Sequence, residues 1–376
     1  MVGYATENGT KKFAERFADS AKGHFRNVEG LMLSSIGIGT YLGNWDEETD
    51  KNYIDSIVRF VQLGGNVIDT AANYRFQRSE KNIGSALKIL NEKGFGREEL
   101  FICTKAGYLP FDGEPPADTK EYFEENFVKK GIATHEDLVG GSHCMTPAYI
   151  QSQLEQSLKN MGIETVDLFY IHNPEAQLQV LDKEAFEKKM QDAFEILEEN
   201  RAKGKLRFYG VSTWNGFRVL PNHRYYHSLE DIFNIARQVG GENHGFKFIQ
   251  LPYNLVMLEA CILLNQPLGK EFFPTLKVAR ELGIHVFCSA SLLQGNLAAE
   301  VSENFRKVFG DSLSNALVAI QFVRSTPGVT AALVGMSQVV HVEENMQIVK
   351  IEPAEKEKIK EILVSKKTEQ QKTEQH

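Results

Sequence analysis

Eight short apolar runs, spaced along the chain with amphipathic stretches between them, limit what this sequence can fold into more than any other feature. They are LMLSSIGIG at 31–39, NVIDT at 66–70, LFICTK at 100–105, VDLFYIH at 166–172, LRFYGVS at 206–212, FKFIQLP at 246–252, IHVFCSA at 284–290 and VTAALVG at 329–335. Runs rich in Val, Ile, Leu and Phe with few charges suit strands buried on both faces of a parallel sheet. The stretches between them read as helices. Ile54, Ile57, Val58 and Val61 share one face, as do Ile83, Leu87 and Leu90. Thr146-Pro147 caps and opens a helix over 147–160, and a helix starting at Ser312 or Ser314 carries Leu313, Leu317, Ile320 and Val323. Eight strand–helix units in one domain predict a closed (β/α)8 TIM barrel of the α/β class. The rival, a doubly wound open sheet, lacks support. Gly37, Gly39 and Gly43 are spaced one residue away from the dinucleotide fingerprint, and Trp45-Asp46 follows where a helix should begin.

On this reading the 376 residues divide into an N-terminal arm (1–30), the barrel (31–352) and a C-terminal helix with a polar tail (353–376). The helix there places Ile359, Ile362 and Leu363 on one face. One connection, 107–147, is far longer than the others. Long connections often act as lids, and barrel sites sit at this end of the strands. His135 and His143-Cys144 lie in it without the spacing or fourth ligand of a zinc site, so no metal is expected.

Composition narrows the partners. Lys+Arg 42 against Asp+Glu 50 leaves a net charge of −8, which repels phosphate backbones and argues against nucleic acid. Cys103, Cys144, Cys261 and Cys288 form no CxxC pair and fit buried thiols in a reducing compartment. No apolar run reaches the roughly 18 residues of a membrane span, and the first 30 residues lack the apolar core of a signal peptide. The expectation is a cytoplasmic protein with no membrane partner, as a monomer or a homo-oligomer.

The carboxyl ends of three adjacent runs carry the chemistry. The second strand ends in Asp69, the third in Lys105 and the fourth in His172, with Tyr74 in the loop after Asp69. A buried carboxylate at a strand end needs a partner, and a lysine on the next strand supplies one. An ammonium beside a tyrosine favours the phenolate, and a histidine can orient a carbonyl oxygen. The set suits hydride delivery to a carbonyl carbon, with Tyr74 giving the proton to the oxygen.

These stretches make the sequence resemble the aldo-keto reductase family. The resemblance is carried by Gly37-Ile38-Gly39-Thr40, NVIDTAANY (66–74), SEKNIGSAL (79–87), FICTKAG (101–107), VDLFYIHNPE (166–175), GKLRFYGVSTWN (204–215), FIQLPYNL (248–255) and LVGMSQVVHVEEN (333–345). It implies the same barrel, reversible carbonyl–alcohol redox on an aldehyde, ketone or sugar, and an extended nicotinamide cofactor. It implies catalytic roles for Asp69, Tyr74, Lys105 and His172. It places Gly39 and Thr40 against the cofactor, and Ser212 and Gln250 on its carboxamide, with Thr213 where asparagine is usual. Ser289 stands where the family often stacks a tyrosine. Leu292 and Gly295 resemble positions near the pyrophosphate, and Gly335, Ser337 and His341 the phosphate-binding turn. Glu344 and Asn345 resemble the adenine contacts. NADP(H) is expected, with NAD(H) as the alternative because Ser337–His341 holds no Lys or Arg. The GMS and CSAS stretches look like the family's sugar-dehydrogenase branch. Trp45, Tyr108 and Trp214 are candidate pocket walls. The alternative role is a cofactor-binding regulatory subunit of a larger, channel-like assembly.

Overall fold

A computed structural model describes residues 1–310 and 312–363. Eight parallel strands close on themselves: β1 (Ile36–Gly39), β2 (Val67–Asp69), β3 (Phe101–Ala106), β4 (Val166–His172), β5 (Leu206–Ser212), β6 (Phe246–Pro252), β7 (His285–Ser289) and β8 (Val329–Gly335). Each is followed by a helix on the outside: α1 (Glu47–Gln62), α2 (Arg78–Glu92), α3 (Pro147–Met161), α4 (Lys183–Ala202), α5 (Leu229–Gly240), α6 (Thr275–Glu281), α7 (Asn315–Ser325) and α8 (Val339–Asn345). The helix expected near the C-terminus is present over 356–363, with Ile359 and Ile362 buried; the polar tail lies outside the described residues. No described helix is long and apolar enough to cross a membrane.

Local sequence explains the helix ends. Thr146 accepts a hydrogen bond from the Tyr149 N–H with Pro147 at the first helical position, and Gly162 ends α3 at φ +64°. α7 is capped by Ser314, which leaves Leu313 outside the helix. α2 and α3 pack through Gly84, where an added Cβ would lie 2.9 Å from the carbonyl oxygens of Asn160 and Met161. Gly84→Ala should therefore cost about 1–3 kcal/mol through forced separation of the two helices. A urea unfolding midpoint equal to that of the parent would refute this.

The pleat sorts the strand residues into two layers. Ile68, Ile102, Phe169, Ile249, Val286 and Val334 belong to the core between sheet and helices. Their neighbours Val67, Phe101, Cys103, Leu168, Tyr170, Phe208, Phe248, Phe287, Ala331 and Leu333 form a separate cluster, which fills the barrel interior. Side chains two residues further along the same face emerge at the carboxyl mouth. Asp69, Lys105, His172 and Gln250 occupy that step, and Ser212 lies one further step on, beyond Gly210.

The first apolar run is not one strand. Leu31–Ser34 pairs with Phe25–Val28 as an antiparallel hairpin, and the barrel strand begins only at Ile36. The break is held by hydrogen bonds from Ser35 N–H to His24 O (2.7 Å) and from Ser34 N–H to Asn66 Oδ1 (2.8 Å). Val28, Leu31, Leu33 and Ala5 join the interior cluster, so the N-terminal segment plugs the amino end of the barrel. Ala5 N–H also donates to Asp167 (2.7 Å), which holds a buried ion pair with Arg97 (2.6 Å).

The long connection after β3 is folded. It builds a small core of Leu109, Phe123, Phe127, Ala133 and Cys144 against Tyr149 of α3. Hydrogen bonds from Leu109 N–H to Ser142 O and from Cys144 N–H to Gly107 O (both 2.8 Å) draw its two ends together beside β4.

Candidate active site

Lys105 lies at the centre of the mouth. Its side chain is fully buried, and the ammonium donates to Asp69 Oδ2 (2.7 Å), to Thr70 O (2.7 Å) and to the Tyr74 hydroxyl (3.5 Å). Asp69 Oδ1 accepts from Gln250 Nε2 (2.8 Å), and Gln250 Oε1 accepts from Ser212 Oγ (3.1 Å). Thr40 Oγ1 bonds Thr70 Oγ1 (2.8 Å) and Asp69 O (3.2 Å). The ends of β1, β2, β3, β5 and β6 are thus joined by one polar network.

His172 completes the group. Its ring stands edge-on to Tyr74 (centroids 5.9 Å apart) and to Tyr108 (5.2 Å). Burial, then the charge of Lys105, holds its pKa well below the ordinary imidazole value, so the ring is neutral at neutral pH. Burial pulls Lys105 down, but the Asp69 carboxylate and Tyr74 outweigh it, and Lys105 stays charged with a raised pKa. Burial pushes Asp69 up against the pull of Lys105 and Gln250. Burial also raises Tyr74, and Lys105 offsets only part of that rise. The phenol therefore carries its proton at neutral pH, which suits a proton donor. The effect of Lys105 expected from sequence is present, but desolvation exceeds it.

The other sequence-derived positions lie at the ends of the remaining strands. Gly39 ends β1 with Thr40 directly after it, Ser289 ends β7 and Gly335 ends β8. Leu292 and Gly295 lie in the short turn after β7, while Ser337 precedes α8 and His341, Glu344 and Asn345 lie in it. Gln338 at the start of α8 makes no side-chain cap. Two buried polar atoms in this set have no partner: Thr213 Oγ1 and Asn345 Oδ1. Such orphans are costly unless a bound group satisfies them. Trp45 and Trp214 are partly exposed, at 51% and 43%. Trp45 packs edge-on against Phe76 (5.2 Å), and Tyr108 is held by a bond from Asn173 Nδ2 to its hydroxyl (3.2 Å).

Three contributors escaped the sequence reading. His143, considered there only as a metal ligand, hydrogen-bonds His172 O through Nε2 (2.8 Å) and meets Gln177 Nε2 at Nδ1 (2.8 Å). Burial pulls its pKa down to about 4, so it too is neutral. Gly107 permits this approach, since a Cβ there would sit 2.5 Å from His172 O and 2.7 Å from His143 Nε2. Glu175 accepts the N–H groups of Trp214 and Asn215 (both 2.8 Å), fixing the turn after β5. The third is the turn after Tyr74, where Arg75, Phe76 and Gln77 all take left-handed φ values of +48°, +56° and +66°. Each such non-glycine residue costs about 1–3 kcal/mol and persists only where its surroundings impose it.

A strand-end carboxylate–lysine–tyrosine chain beside a neutral histidine is a site for moving a proton to or from a carbonyl oxygen. The sequence profile of the Aldo/keto reductase family matches residues 35–364. The chain belongs to the aldo/keto reductase family. It is accordingly an oxidoreductase. Among curated relatives it is 26% identical to the NADH-specific methylglyoxal reductase of Escherichia coli (strain K12), over 73% of this chain and 68% of that one. Among solved structures it resembles the glycerol dehydrogenase from Gluconobacter oxydans, with TM-score 0.63, 20% identity, and 91% and 94% of the two chains covered. It also resembles an aldo/keto reductase from Klebsiella pneumoniae in complex with NADP and acetate, with TM-score 0.60, 18% identity, and 91% and 94% covered.

Proposed function

We propose that the protein interconverts a small-molecule carbonyl and its alcohol, with Tyr74 exchanging the proton at oxygen. The observation that carries this is the buried Asp69–Lys105–Tyr74 chain at the barrel mouth. Asp69 fixes the ammonium and Lys105 stabilises charge that develops on the phenol oxygen. Neutral His172 orients the carbonyl oxygen by hydrogen bonding. Tyr108 and His143 bring the 107–147 segment against His172, so this segment acts as a pocket wall and lid. That placement favours a substrate pocket over the docking surface that a regulatory subunit would need.

A bound nicotinamide would supply or accept the hydride. The unpartnered Thr213 Oγ1 and Asn345 Oδ1 fit a ligand lying from β5 round to α8. Ser212, Thr213 and Gln250 would hold the carboxamide end, with Gly39, Thr40 and Ser289 beside them. Leu292, Gly295, Gly335, Ser337 and His341 would hold the phosphates, and Glu344 and Asn345 the adenine. The Klebsiella structure contains NADP, whereas the Escherichia coli relative is named for NADH. In this chain Arg59, which reaches α8, is engaged by Glu343 (2.9 Å). That pairing takes a nearby cation away from a 2′-phosphate and keeps NAD(H) acceptable, while the NADP-bound neighbour tips the preference to NADP(H), in a cytoplasmic setting. Tryptophan-fluorescence titration should show both reduced cofactors binding, NADPH tighter by less than about tenfold, since Ser337–His341, proposed to hold the phosphates, offers no Lys or Arg. Absence of quenching by either, with no turnover of a reactive aldehyde, would refute this function.

A further inference from the structure

Tyr74 is followed by a turn that its own sequence does not favour. Arg75, Phe76 and Gln77 are all left-handed and none is glycine, so neighbours must impose the conformation. On one side Arg75, almost fully buried, donates from Nε to Asn44 O (2.7 Å) and from Nη2 to Asp50 Oδ1 (2.6 Å), with its guanidinium over the Tyr53 ring. On the other side Gln77 Nε2 donates to Pro110 O and Phe111 O (both 3.1 Å), and Phe76 O accepts from Gly113 N–H (2.8 Å). Asp50 gathers the first side, since it also accepts from Arg78 Nη1 (2.6 Å) and Asn82 Nδ2 (2.9 Å).

The consequence falls on Tyr74. Its contact with Lys105 is long, at 3.5 Å, and does not hold the phenol in place by itself. The backbone that carries the ring does so, and the turn fixes that backbone. Asn44 adjoins Trp45, and Trp45 packs on Phe76, so the same guanidinium registers a pocket wall against the proton donor. We propose that Arg75, through its bond to Asp50, is the positioning residue that sets the distance between Tyr74 and Lys105. This rests on the role of Tyr74 proposed above.

Glycine tolerates positive φ, so Arg75→Gly removes the anchor without adding a steric clash. Asp50 keeps Arg78 and Asn82 in that variant, so no bare carboxylate is left. With nitrobenzaldehyde and NADPH, Arg75→Gly should lower kcat at least tenfold and keep the cofactor Kd within twofold, with a lower thermal midpoint but a folded protein at the assay temperature. The groups facing Tyr74 are Lys105, Asp69, Tyr41 and His172, and all remain. The tyrosine limb of the kcat–pH profile should nevertheless move, because the Tyr74–Lys105 separation has changed. Arg75→Lys, which keeps a cation for Asp50, should recover most of kcat, and Asp50→Asn should mimic the loss. Parent-like kcat and pH profile in Arg75→Gly would overturn the assignment. So would a loss of activity that tracks the folded fraction with an unmoved pH profile. If Tyr74→Phe itself turned over at the parent rate, the proton-donor role would fail first and the positioning role with it.

Discussion

Lys105→Met is expected to lose both turnover and about 3–5 kcal/mol of stability, the usual consequence of removing one partner from a buried ion pair. The ammonium is fully buried and makes its short bonds to Asp69 and Thr70 O. Without it, among the described residues Asp69 keeps only Gln250 as a side-chain donor. Burial already pushes Asp69 up, and losing Lys105 removes the largest opposing influence. Its folded-state pKa should then rise further above the unfolded value. A carboxyl shifted in that direction favours the folded state while protonated, and this contribution is lost as pH rises through the folded pKa. The variant should therefore be destabilised more at pH 8 than at pH 5, with Asp69 the group responsible. Asp69→Asn added to Lys105→Met removes the stranded carboxylate, so it should restore much of the stability and abolish that pH difference without restoring activity. Urea melts of both variants at the two pH values decide the matter. Equal losses at pH 5 and pH 8 in Lys105→Met would show that the carboxylate is not the stranded group.

What the sequence disclosed, and what it hid, follows from the range over which each feature is specified. Parallel strands buried on both faces write themselves as apolar runs, and active-site side chains at strand ends follow those runs by a fixed step, so Asp69, Lys105 and His172 were legible together. The run at 31–39 misled because apolarity does not distinguish a barrel strand from a hairpin that plugs the barrel. The break at Ser35 depends on His24 and Asn66, which no local pattern connects to it. Arg75 was invisible for a related reason. Its left-handed φ is imposed by Asp50, 25 positions earlier, and a sequence shows glycine where strain is avoided but nothing where strain is held. His143 was weighed only as a zinc ligand, because its value comes from reaching the backbone of His172, 29 positions away, through the gap left by Gly107.

Tyr74→Phe is expected to reduce kcat by about 10²–10⁴-fold, the span attributed to a positioned general acid. The fold should survive, because the phenol oxygen is a minor partner of Lys105, at 3.5 Å against 2.7 Å to Asp69 and to Thr70 O. Nor does the substitution strand a charge, since the phenol is neutral in the free protein. The ring contacts with Tyr41 and His172 are retained by phenylalanine. Binding of the reduced cofactor should be unchanged, because the groups proposed to hold it lie at the ends of β1 and of β5 to β8 and in α8, and the Tyr74 hydroxyl is not among them. The residual rate should have lost the alkaline limb of the parent's pH profile for carbonyl reduction. In the parent, activity should fall as pH rises through the tyrosine pKa, because the proton donor is then absent. Burial places that limb above the ordinary phenol range, so the parent should hold its reduction rate across neutral pH. Single-turnover rates across pH for parent and variant measure the proton step apart from cofactor release. A variant that reduces aldehyde at the parent rate, or that keeps the parent's alkaline limb, would remove Tyr74 from the chemistry and turn attention to His172 as the donor to the carbonyl oxygen.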